Sequence, residues 1–305
     1  MADVFPYFQP AAGVPFEAIG DGGTMPEGNA TAPIGVFDSG AGGLTILTAL
    51  RRELPDENFI YLGDTAHCPY GTRSESEIID LSIRAIRFLI EQGVKLVVVA
   101  CNTASLAALN TLRATFQVPF VGVVPALERA ARLTRRGRIG IAATDQTVKS
   151  PYLRQLMNEF AGGIHISAVG CPELVTLVER GILDGPLAEE TVQRALQPLL
   201  KEYVDIIVLG CTHFPALRPL IERVVGQDVQ VIDSAMAVAR RTCSVLTAEA
   251  LMQPVHPDHR VFSQLQVWCS GDPFAFSNVV SSLLGHYTLV QQTRPEREPY
   301  GVNPY

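Results

Sequence analysis

The chain has 305 residues, enough for one large hydrophobic core or two smaller ones, and ordinary domain sizes favour two. A composition of 47% hydrophobic and 18% charged residues is typical of a compact globular protein and excludes a disordered or coiled-coil chain. The net charge of -7, with no dense basic run, argues against nucleic-acid binding, because that function needs a basic face against the phosphates.

Both ends of the chain are predicted to lie outside the folded body. Residues 1–33 are rich in Gly, Pro and Ala and predict a flexible N-terminal extension, while the polar, proline-rich residues 291–305 predict a C-terminal tail. The N-terminus lacks the pattern of a signal peptide and no apolar run reaches transmembrane length, so we expect a cytoplasmic protein without membrane contact. Six cysteines are too few for a disulfide scaffold and are expected to be free thiols.

Between these ends, short apolar runs alternate with longer amphipathic stretches, which predicts an α/β fold with mainly parallel sheets covered by helices on both faces. In chain order, the predicted strands are "PIGVFD", "NFIYLGD", "KLVVVAC", "PFVGVV", "RIGIAAT", "HISAVG", "DIIVLGC", "VQVIDS" and "LQVWCSG". The predicted helices span residues 43–52, 74–92, 104–116, 150–161, 172–181, 187–202, 214–225 and 234–251.

Two segments of the chain are similar to each other. "KLVVVACNTASLAAL" and "DIIVLGCTHFPAL" each place a cysteine and small polar residues between a buried strand and a helix. A strand ends at Pro125 before a new helix-strand unit, and the chain can cross back near "VVGQDVQVIDS". These breaks predict a first domain of residues 34–125 plus 229–290 and a second domain of residues 126–228.

Ligands of open α/β sheets bind beyond the carboxyl ends of the strands, where this chain carries "FDSGAGGLTIL", "GDTAHCPYG", "ACNTAS" and "GCTHF". The glycine-rich loop 38–43 opens a predicted helix, so its amides can bind an anion. It lacks the lysine of a P-loop and the spacing of a dinucleotide-binding loop. A phosphate site, a small-carboxylate site and a tight structural turn therefore all stay open.

Cys101 and Cys211 lie where strands give way to helices, and His213 follows Cys211 by two positions. A lone cysteine is commonly a buried packing residue, but a helix N-terminus lowers thiol pKa values whereas apolar burial raises them. Metal binding by Cys211, His213, Cys101 and Cys171 is an alternative, although no tight zinc spacing occurs. A Cys211–His213 hydrolase is another, and it leaves Cys101 without a role.

Two thiols in matched settings fit a reaction that removes a proton from one face of a carbon and returns one to the opposite face. That reaction is racemisation. Amino-acid racemisation by pyridoxal phosphate needs an active-site lysine, and Lys95, Lys149 and Lys201 do not lie at the carboxyl end of a predicted strand. The sequence therefore favours a route with no cofactor and no metal.

The chain resembles the glutamate racemases, cofactor-independent two-cysteine enzymes of the aspartate/glutamate racemase superfamily. The matching segments are "IGVFDSGAGGLTIL", "YLGDTAHCPYGTRS", "VVVACNTAS", "GVVPA", "CPELVTLVERG", "VLGCTHFPAL" and "VIDSA". The resemblance implies two pseudo-symmetric, Rossmann-like or flavodoxin-like α/β domains with the active site at their interface. It also implies interconversion of L- and D-glutamate, with D-glutamate supplied for peptidoglycan.

The resemblance also implies roles for individual residues. Cys101 matches the base for the D-isomer, assisted by Asp38, and Cys211 matches the base for the L-isomer, assisted by His213. Further residues match substrate-binding positions in the family, and these are Ser39, Pro69, Tyr70, Gly71, Asn102, Thr103 and Thr212. Asp64 and Glu179 match supporting carboxylates, while Cys68 and Cys171, which lie in family-like motifs without an implied proton transfer, are predicted to be packing residues.

Residues 1–33 precede the segment at which many family members start. Some relatives use such an extension to bind an activating cell-wall precursor, and members often form homodimers, so both are hypotheses for this chain. Aspartate racemase, the Cys211–His213 hydrolase and a non-catalytic binding protein on the same fold are the alternative functions.

Overall fold

A computed structural model of the protein describes residues 30–254 and 263–293, whose strands form two parallel sheets. The six-stranded sheet has the order β10-β9-β2-β1-β3-β4 and contains β1 Ile34–Asp38, β2 Phe59–Gly63, β3 Leu96–Val99, β4 Phe120–Gly122, β9 Leu265–Cys269 and β10 Val290–Gln292. The four-stranded sheet has the order β6-β5-β7-β8 and contains β5 Arg138–Ala143, β6 His165–Gly170, β7 Ile206–Gly210 and β8 Gln230–Ile232. Every strand pairing is parallel, so the predicted α/β fold is confirmed.

Helices cover both sheets. They are α1 Leu44–Glu53, α2 Glu75–Glu91, α3 Asn102–Thr115, α4 Leu127–Leu133, α5 Asp145–Lys149, α6 Pro151–Phe160, α7 Pro172–Glu179, α8 Pro186–Lys201, α9 Arg218–Val225, α10 Ala235–Ala248 and α11 Pro273–Leu284. Two 3-10 turns, Tyr70–Thr72 and Phe214–Leu217, follow β2 and β7. Each sheet has a separate apolar cluster on either face, as the near-continuous hydrophobic strands require.

All nine predicted strands and all eight predicted helices are present, with shifts of a few residues at their ends. The predicted helix 214–225 is wrong in its first turn, which is a 3-10 turn, and the α-helix begins at Arg218. Proline in the second position of that helix fits its start, because proline needs no amide partner there. The short strand β10 and the helices α5 and α11 were not predicted, and α4 is the helix of the helix-strand unit predicted after Pro125.

Sheet pairing moves two predicted boundaries. The first domain was predicted to resume at residue 229, but Gln230–Ile232 pairs with β7 in the second sheet. The tail was predicted to begin at residue 291, but β10 continues to Gln292 beside β9. At the N-terminal end of the described residues, the carbonyl groups of Ala30 and Pro33 accept hydrogen bonds from Lys95. Residues 1–29 of the predicted extension lie outside the described residues.

The two sheets place corresponding strands at their centres. In the first sheet the chain goes from β1 to β2 on one side and then to β3 on the other, and in the second it goes from β5 to β6 and then to β7. The order therefore reverses between β1 and β3 and between β5 and β7, and such reversals open a crevice at the carboxyl ends of the strands. Within residues 30–254 and 263–293, no helix has both the length and the apolar character needed to cross a bilayer.

Candidate active site

One pocket lies where these two crevices meet. Its lining comprises Ser39, Pro69, Tyr70, Gly71, Cys101, Asn102, Thr103, Thr144, Val175, Cys211, Thr212 and His213. Ten of the eleven residues predicted to act in catalysis or substrate binding are in this lining, and the eleventh, Asp38, is fully buried at the end of β1. Loops of both sheets contribute, so the predicted location of the site between the two halves agrees with the structure.

Cys101 follows β3 and is the N-cap of α3, where its sulfur accepts a hydrogen bond from the Ala104 amide at 3.5 Å. Its thiol also lies 3.6 Å from the Ser39 hydroxyl. Burial, and then the nearby carboxylate of Asp38, raise the pKa of the Cys101 thiol to about 12. At this cysteine burial therefore outweighs the helix N-terminus, and Cys101 is a thiol at neutral pH in the free protein.

Cys211 follows β7 and lies against His213. The Cys211 sulfur is 3.6 Å from Nδ1 of His213, whose Nε2 is 2.5 Å from the Glu179 carboxylate. Although burial lowers the pKa of His213, the hydrogen bonds to Cys211, Cys68 and Glu179 raise it well above its usual value. Burial, the largest single effect, raises the pKa of Glu179, but the hydrogen bond and charge of His213, with the Ala41 amide and the Cys68 thiol, together outweigh it and lower the pKa. These contacts favour the protonated form of the imidazole that lies beside the Cys211 sulfur.

Asp38 connects the two halves of the site. One of its carboxylate oxygens accepts the Gly40 amide at 2.8 Å, and the other accepts the Thr212 hydroxyl at 2.9 Å. Thr45, in α1, donates to the Thr212 carbonyl at 3.0 Å. Burial raises the pKa of Asp38, while the charge of His213 opposes this rise. Asp38 acts on Cys101 through its charge, and its hydrogen bonds instead fix the loop that carries Thr212.

Asp64 supports the loop that carries Pro69, Tyr70 and Gly71. Its carboxylate accepts hydrogen bonds from the Tyr70 hydroxyl at 2.6 Å and from the Ser270 hydroxyl at 2.5 Å. A Cβ atom at Gly71 would lie 2.7 Å from the Cβ of Thr144, so glycine allows this loop to approach the second sheet closely. Sequence reasoning missed Ser270, which reaches Asp64 from the end of β9.

Two pocket residues, Thr144 and Val175, were not predicted. Thr144 is the N-cap of α5, and its hydroxyl lies 3.0 Å from the hydroxyls of both Thr103 and Thr147. Thr144 follows β5, which occupies in the second sheet the place that β1 has in the first. The similarity between the two halves could therefore have predicted this residue. Val175 in α7 supplies an apolar wall.

The cysteines considered as metal ligands are not grouped as expected. Among the described residues, the side chains close enough together to hold a metal ion are Cys68, Glu179 and His213, and of these only His213 was a predicted candidate. Cys171 is fully buried in the apolar cluster of the second sheet, which agrees with a packing role, and burial raises the pKa of its thiol to about 12. Cys68 is partly exposed and lies beside the site.

Comparisons with known proteins agree with this geometry. A sequence model described as Asp/Glu/hydantoin racemase matches residues 44–242. Glutamate racemase of Roseiflexus sp. (strain RS-1) is 42% identical over 252 residues, which cover 82% of this chain and 92% of the relative. The crystal structure of glutamate racemase from Bacillus anthracis is similar with 32% identity and a TM-score of 0.79, and the match covers 87% of this chain and 98% of that one. The crystal structure of glutamate racemase from Escherichia coli is similar with 35% identity and a TM-score of 0.75, and the match covers 86% of this chain and 98% of that one. The Escherichia coli structure is a complex with L-glutamate and the activator UDP-MurNAc-Ala.

Proposed function

Because the chain belongs to the Asp/Glu/hydantoin racemase family, and within it to the glutamate racemases, we propose that it interconverts L- and D-glutamate without a cofactor. The observation that carries this proposal is the pair of buried cysteines, Cys101 and Cys211, which line one pocket from the ends of corresponding strands β3 and β7. Two thiols on opposite sides of a bound α-carbon can remove a proton from one face and deliver one to the other.

Cys211 is the base for L-glutamate, and His213 assists it. The protonated ring of His213 lies 3.6 Å from the Cys211 sulfur, so it places a positive charge beside this base. After Cys211 has taken the α-proton, the carbanion takes a proton from Cys101 on the other face, which gives D-glutamate. Glu179 keeps the imidazole charged and in position through its contact with Nε2.

Cys101 is the base in the reverse direction. Its high pKa in the free protein suits a thiol that donates a proton to a carbanion, but a base must be a thiolate. The ammonium group of bound glutamate supplies positive charge in the pocket and lowers the pKa of this thiol. The negative charge of Asp38 opposes ionisation of the Cys101 thiol, and it favours return of the proton to the Cys101 thiolate once that has formed.

The pocket provides hydrogen-bond donors for the two carboxylates of glutamate. The hydroxyls of Ser39, Thr103 and Thr212 and the amide of Asn102 line it, and Asn102 and Thr103 form the first turn of α3. The N-terminus of a helix favours bound anions, so α3 can hold one carboxylate beside Cys101. The lining contains no lysine, which a pyridoxal phosphate enzyme would need for its Schiff base.

The biological role follows from the product. D-glutamate is a component of peptidoglycan, so the enzyme supplies cell-wall synthesis and acts in the cytoplasm, where wall precursors are made. The complex of the Escherichia coli relative with UDP-MurNAc-Ala supports activation by a wall precursor, and residues 1–33 are the segment for which we propose this role. Deleting residues 1–29 tests it while leaving residues 30–33, which contact Lys95, in place. If the deleted chain and the full chain have equal activity both with and without that precursor, activation through this segment is excluded.

A homodimer is also expected, and light scattering measures the mass of the assembly directly.

The decisive experiment incubates the purified protein with L-glutamate and, separately, D-glutamate in deuterated water without added cofactor. Racemisation must bring deuterium to the α-carbon of the inverted product. Proton NMR detects the label as loss of the α-proton signal, and polarimetry detects the inversion as loss of optical rotation. No reaction, or inversion without label, would refute the proposal. Parallel incubations with both isomers of aspartate distinguish an aspartate racemase, which would label that substrate faster.

A further inference from the structure

Three potential metal ligands lie close together beside the pocket. They are the thiol of Cys68, the carboxylate of Glu179 and the ring of His213, with one ligand atom from each within 4.8 Å of the others. We propose that this cluster, hereafter the Cys68 cluster, binds a thiophilic divalent cation of the Zn²⁺ type and that the bound cation inhibits the enzyme. The inhibitory effect rests on the proposed racemase function, whereas binding itself does not.

The chemistry of the three donors favours such a cation. Thiolate, imidazole and carboxylate are the ligands that Zn²⁺ takes in proteins, and three protein ligands with a free fourth position make an accessible site. Hard cations such as Mg²⁺ and Ca²⁺ prefer oxygen ligands, so the sulfur and nitrogen of this cluster select against them. The Glu179 carboxylate offsets part of the charge of the cation.

Local geometry keeps the ligand atoms together. A Cβ atom at Gly40 would lie 2.1 Å from Oε1 of Glu179 and 2.9 Å from the sulfur of Cys68, so only glycine allows both side chains to approach this point. The Ala41 amide donates to Oε1 of Glu179 at 2.8 Å and holds the carboxylate in place. Glu179 is 22% exposed and Cys68 is partly exposed, which gives a cation a path from solvent.

The cluster lies next to the substrate pocket but outside it. His213 lines the pocket, whereas Cys68 and Glu179 do not. Nδ1 of His213 faces the Cys211 sulfur and Nε2 faces Glu179, so a cation bound to Nε2 leaves the substrate's space free. A cation on Nε2 takes the place of the proton there and breaks the hydrogen bond from His213 to Glu179, so the ring is held by the cation and no longer by Glu179 in its position beside Cys211. Inhibition should therefore lower kcat and leave KM for glutamate nearly unchanged.

A cation at this position would also connect the two sheets. Cys68 lies in the loop after β2 of the six-stranded sheet, while Glu179 ends α7 and His213 follows β7 of the four-stranded sheet. A ligand that binds the folded chain but not the unfolded chain raises the melting temperature. Zn²⁺ should therefore raise the melting temperature of the wild-type protein, and above its Kd the rise should grow with the logarithm of the free Zn²⁺ concentration.

Cobalt(II) gives a readout that does not depend on turnover. A cobalt–thiolate bond produces charge-transfer absorption in the near ultraviolet, so Co²⁺ is titrated into chelator-treated, reduced protein and Zn²⁺ is added to displace it. Cys68→Ala should abolish this absorption and weaken Zn²⁺ binding by more than about 100-fold, which exceeds the loss expected from a residue outside the coordination shell. Glu179→Gln, which preserves the shape of the side chain, should weaken Zn²⁺ binding by at least about tenfold.

Cys243→Ala is the matched control, because Cys243 is also a partly exposed free cysteine, in α10. It should retain both the cobalt absorption and inhibition by Zn²⁺, and circular dichroism verifies that all variants are folded. Absence of the absorption in the wild-type protein, or its persistence in Cys68→Ala, would overturn the site. Binding at Cys68 without loss of kcat in an active racemase would overturn the inhibitory effect. Binding at Cys68 in a protein that does not racemise glutamate would support the site and refute the proposed function alone.

Discussion

Glu179 and His213 come from different parts of the second half of the chain, yet Oε1 of Glu179 lies 2.5 Å from Nε2 of His213. The same oxygen accepts the Ala41 amide from the loop after β1, so one carboxylate orients the imidazole and contacts the opposite sheet. Because the other ring nitrogen faces Cys211, the charge on Glu179 reaches the thiol through His213. A residue that touches no substrate therefore sets the conditions for one of the two bases.

Glu179→Gln should lower kcat by roughly tenfold with little change in KM, a smaller loss than the ~100-fold or more expected when an acid–base group itself is removed. The carboxylate raises the pKa of His213, so its removal lowers that pKa and the imidazolium disappears at a lower pH. The alkaline limb of the kcat profile with L-glutamate should shift to lower pH. Glu173→Gln, on the same helix, is the control and should leave the profile unchanged. An unshifted profile for Glu179→Gln would contradict the role of this carboxylate.

Replacing either pocket cysteine should nearly abolish racemisation. Cys101→Ala and Cys211→Ala should each lower turnover in both directions by at least about 100-fold, since each isomer needs one thiol as base and the other as acid. Cys269→Ala removes a buried thiol from the apolar cluster of the first sheet and should retain activity. A Cys211–His213 hydrolase would tolerate Cys101→Ala, so normal turnover in that variant would exclude the two-thiol mechanism.

Asp38→Asn should make Cys101 easier to ionise. The Asp38 carboxylate raises the pKa of the Cys101 thiol, and removing this charge lowers it from about 12. Each unit of that decrease gives about tenfold more thiolate at a fixed pH well below the pKa. The rate of Cys101 alkylation by iodoacetamide at mildly alkaline pH, followed by mass spectrometry in a Cys211→Ala background, should therefore rise. Asp80→Asn, an exposed position in α2, should leave the rate unchanged, and an equal or slower rate in Asp38→Asn would refute this assignment.

The sequence predicts the strands and the strand-end residues well, because buried parallel strands are continuous apolar runs and a fold of this class places polar loops at one edge. Helix α11 could also have been predicted, since Asp272 and Pro273 form a capping residue followed by proline at the first helical position. The sheet to which β8 belongs could not, because a short apolar run after β7 and α9 does not distinguish pairing with β7 from a return to the first sheet. The approach of Ser270 to Asp64 could not either, because the contact joins segments that are distant in sequence. The Cys68 cluster was missed for the same reason.

Thr144→Val should impair glutamate binding more than Thr144→Ser. Thr144 lines the pocket and its hydroxyl lies 3.0 Å from that of Thr103, so we expect its loss to remove a polar contact to glutamate and to raise KM by roughly tenfold, the effect of about one hydrogen bond to a charged group. It also caps α5 by accepting the Thr147 amide at 3.2 Å, and valine should cost about 1 kcal/mol of stability. Serine keeps both functions and serves as the control. Steady-state kinetics and urea unfolding measure the two effects, and identical KM values for the two variants would exclude Thr144 from binding.

Lys95 and Glu57 form a buried ion pair far from the pocket, with Nζ 2.5 Å from Oε2 and the two side chains 2% and 1% exposed. Oε1 of Glu57 also accepts a hydrogen bond from the backbone amide of Gln253 at 2.8 Å. Lys95→Met leaves the carboxylate buried without its partner and should lower the free energy of unfolding by about 3–5 kcal/mol.

The double variant Lys95→Met/Glu57→Gln removes both charges and should be destabilised by much less than the sum of the single variants, because the penalty of an unpaired buried charge disappears. Lys201→Met, at an exposed position that ends α8, is the control and should change stability little. Urea unfolding of the wild type, Lys95→Met, Glu57→Gln and the double variant gives the coupling free energy directly. Additive losses would mean that the contact between Lys95 and Glu57 contributes nothing beyond the two side chains taken separately.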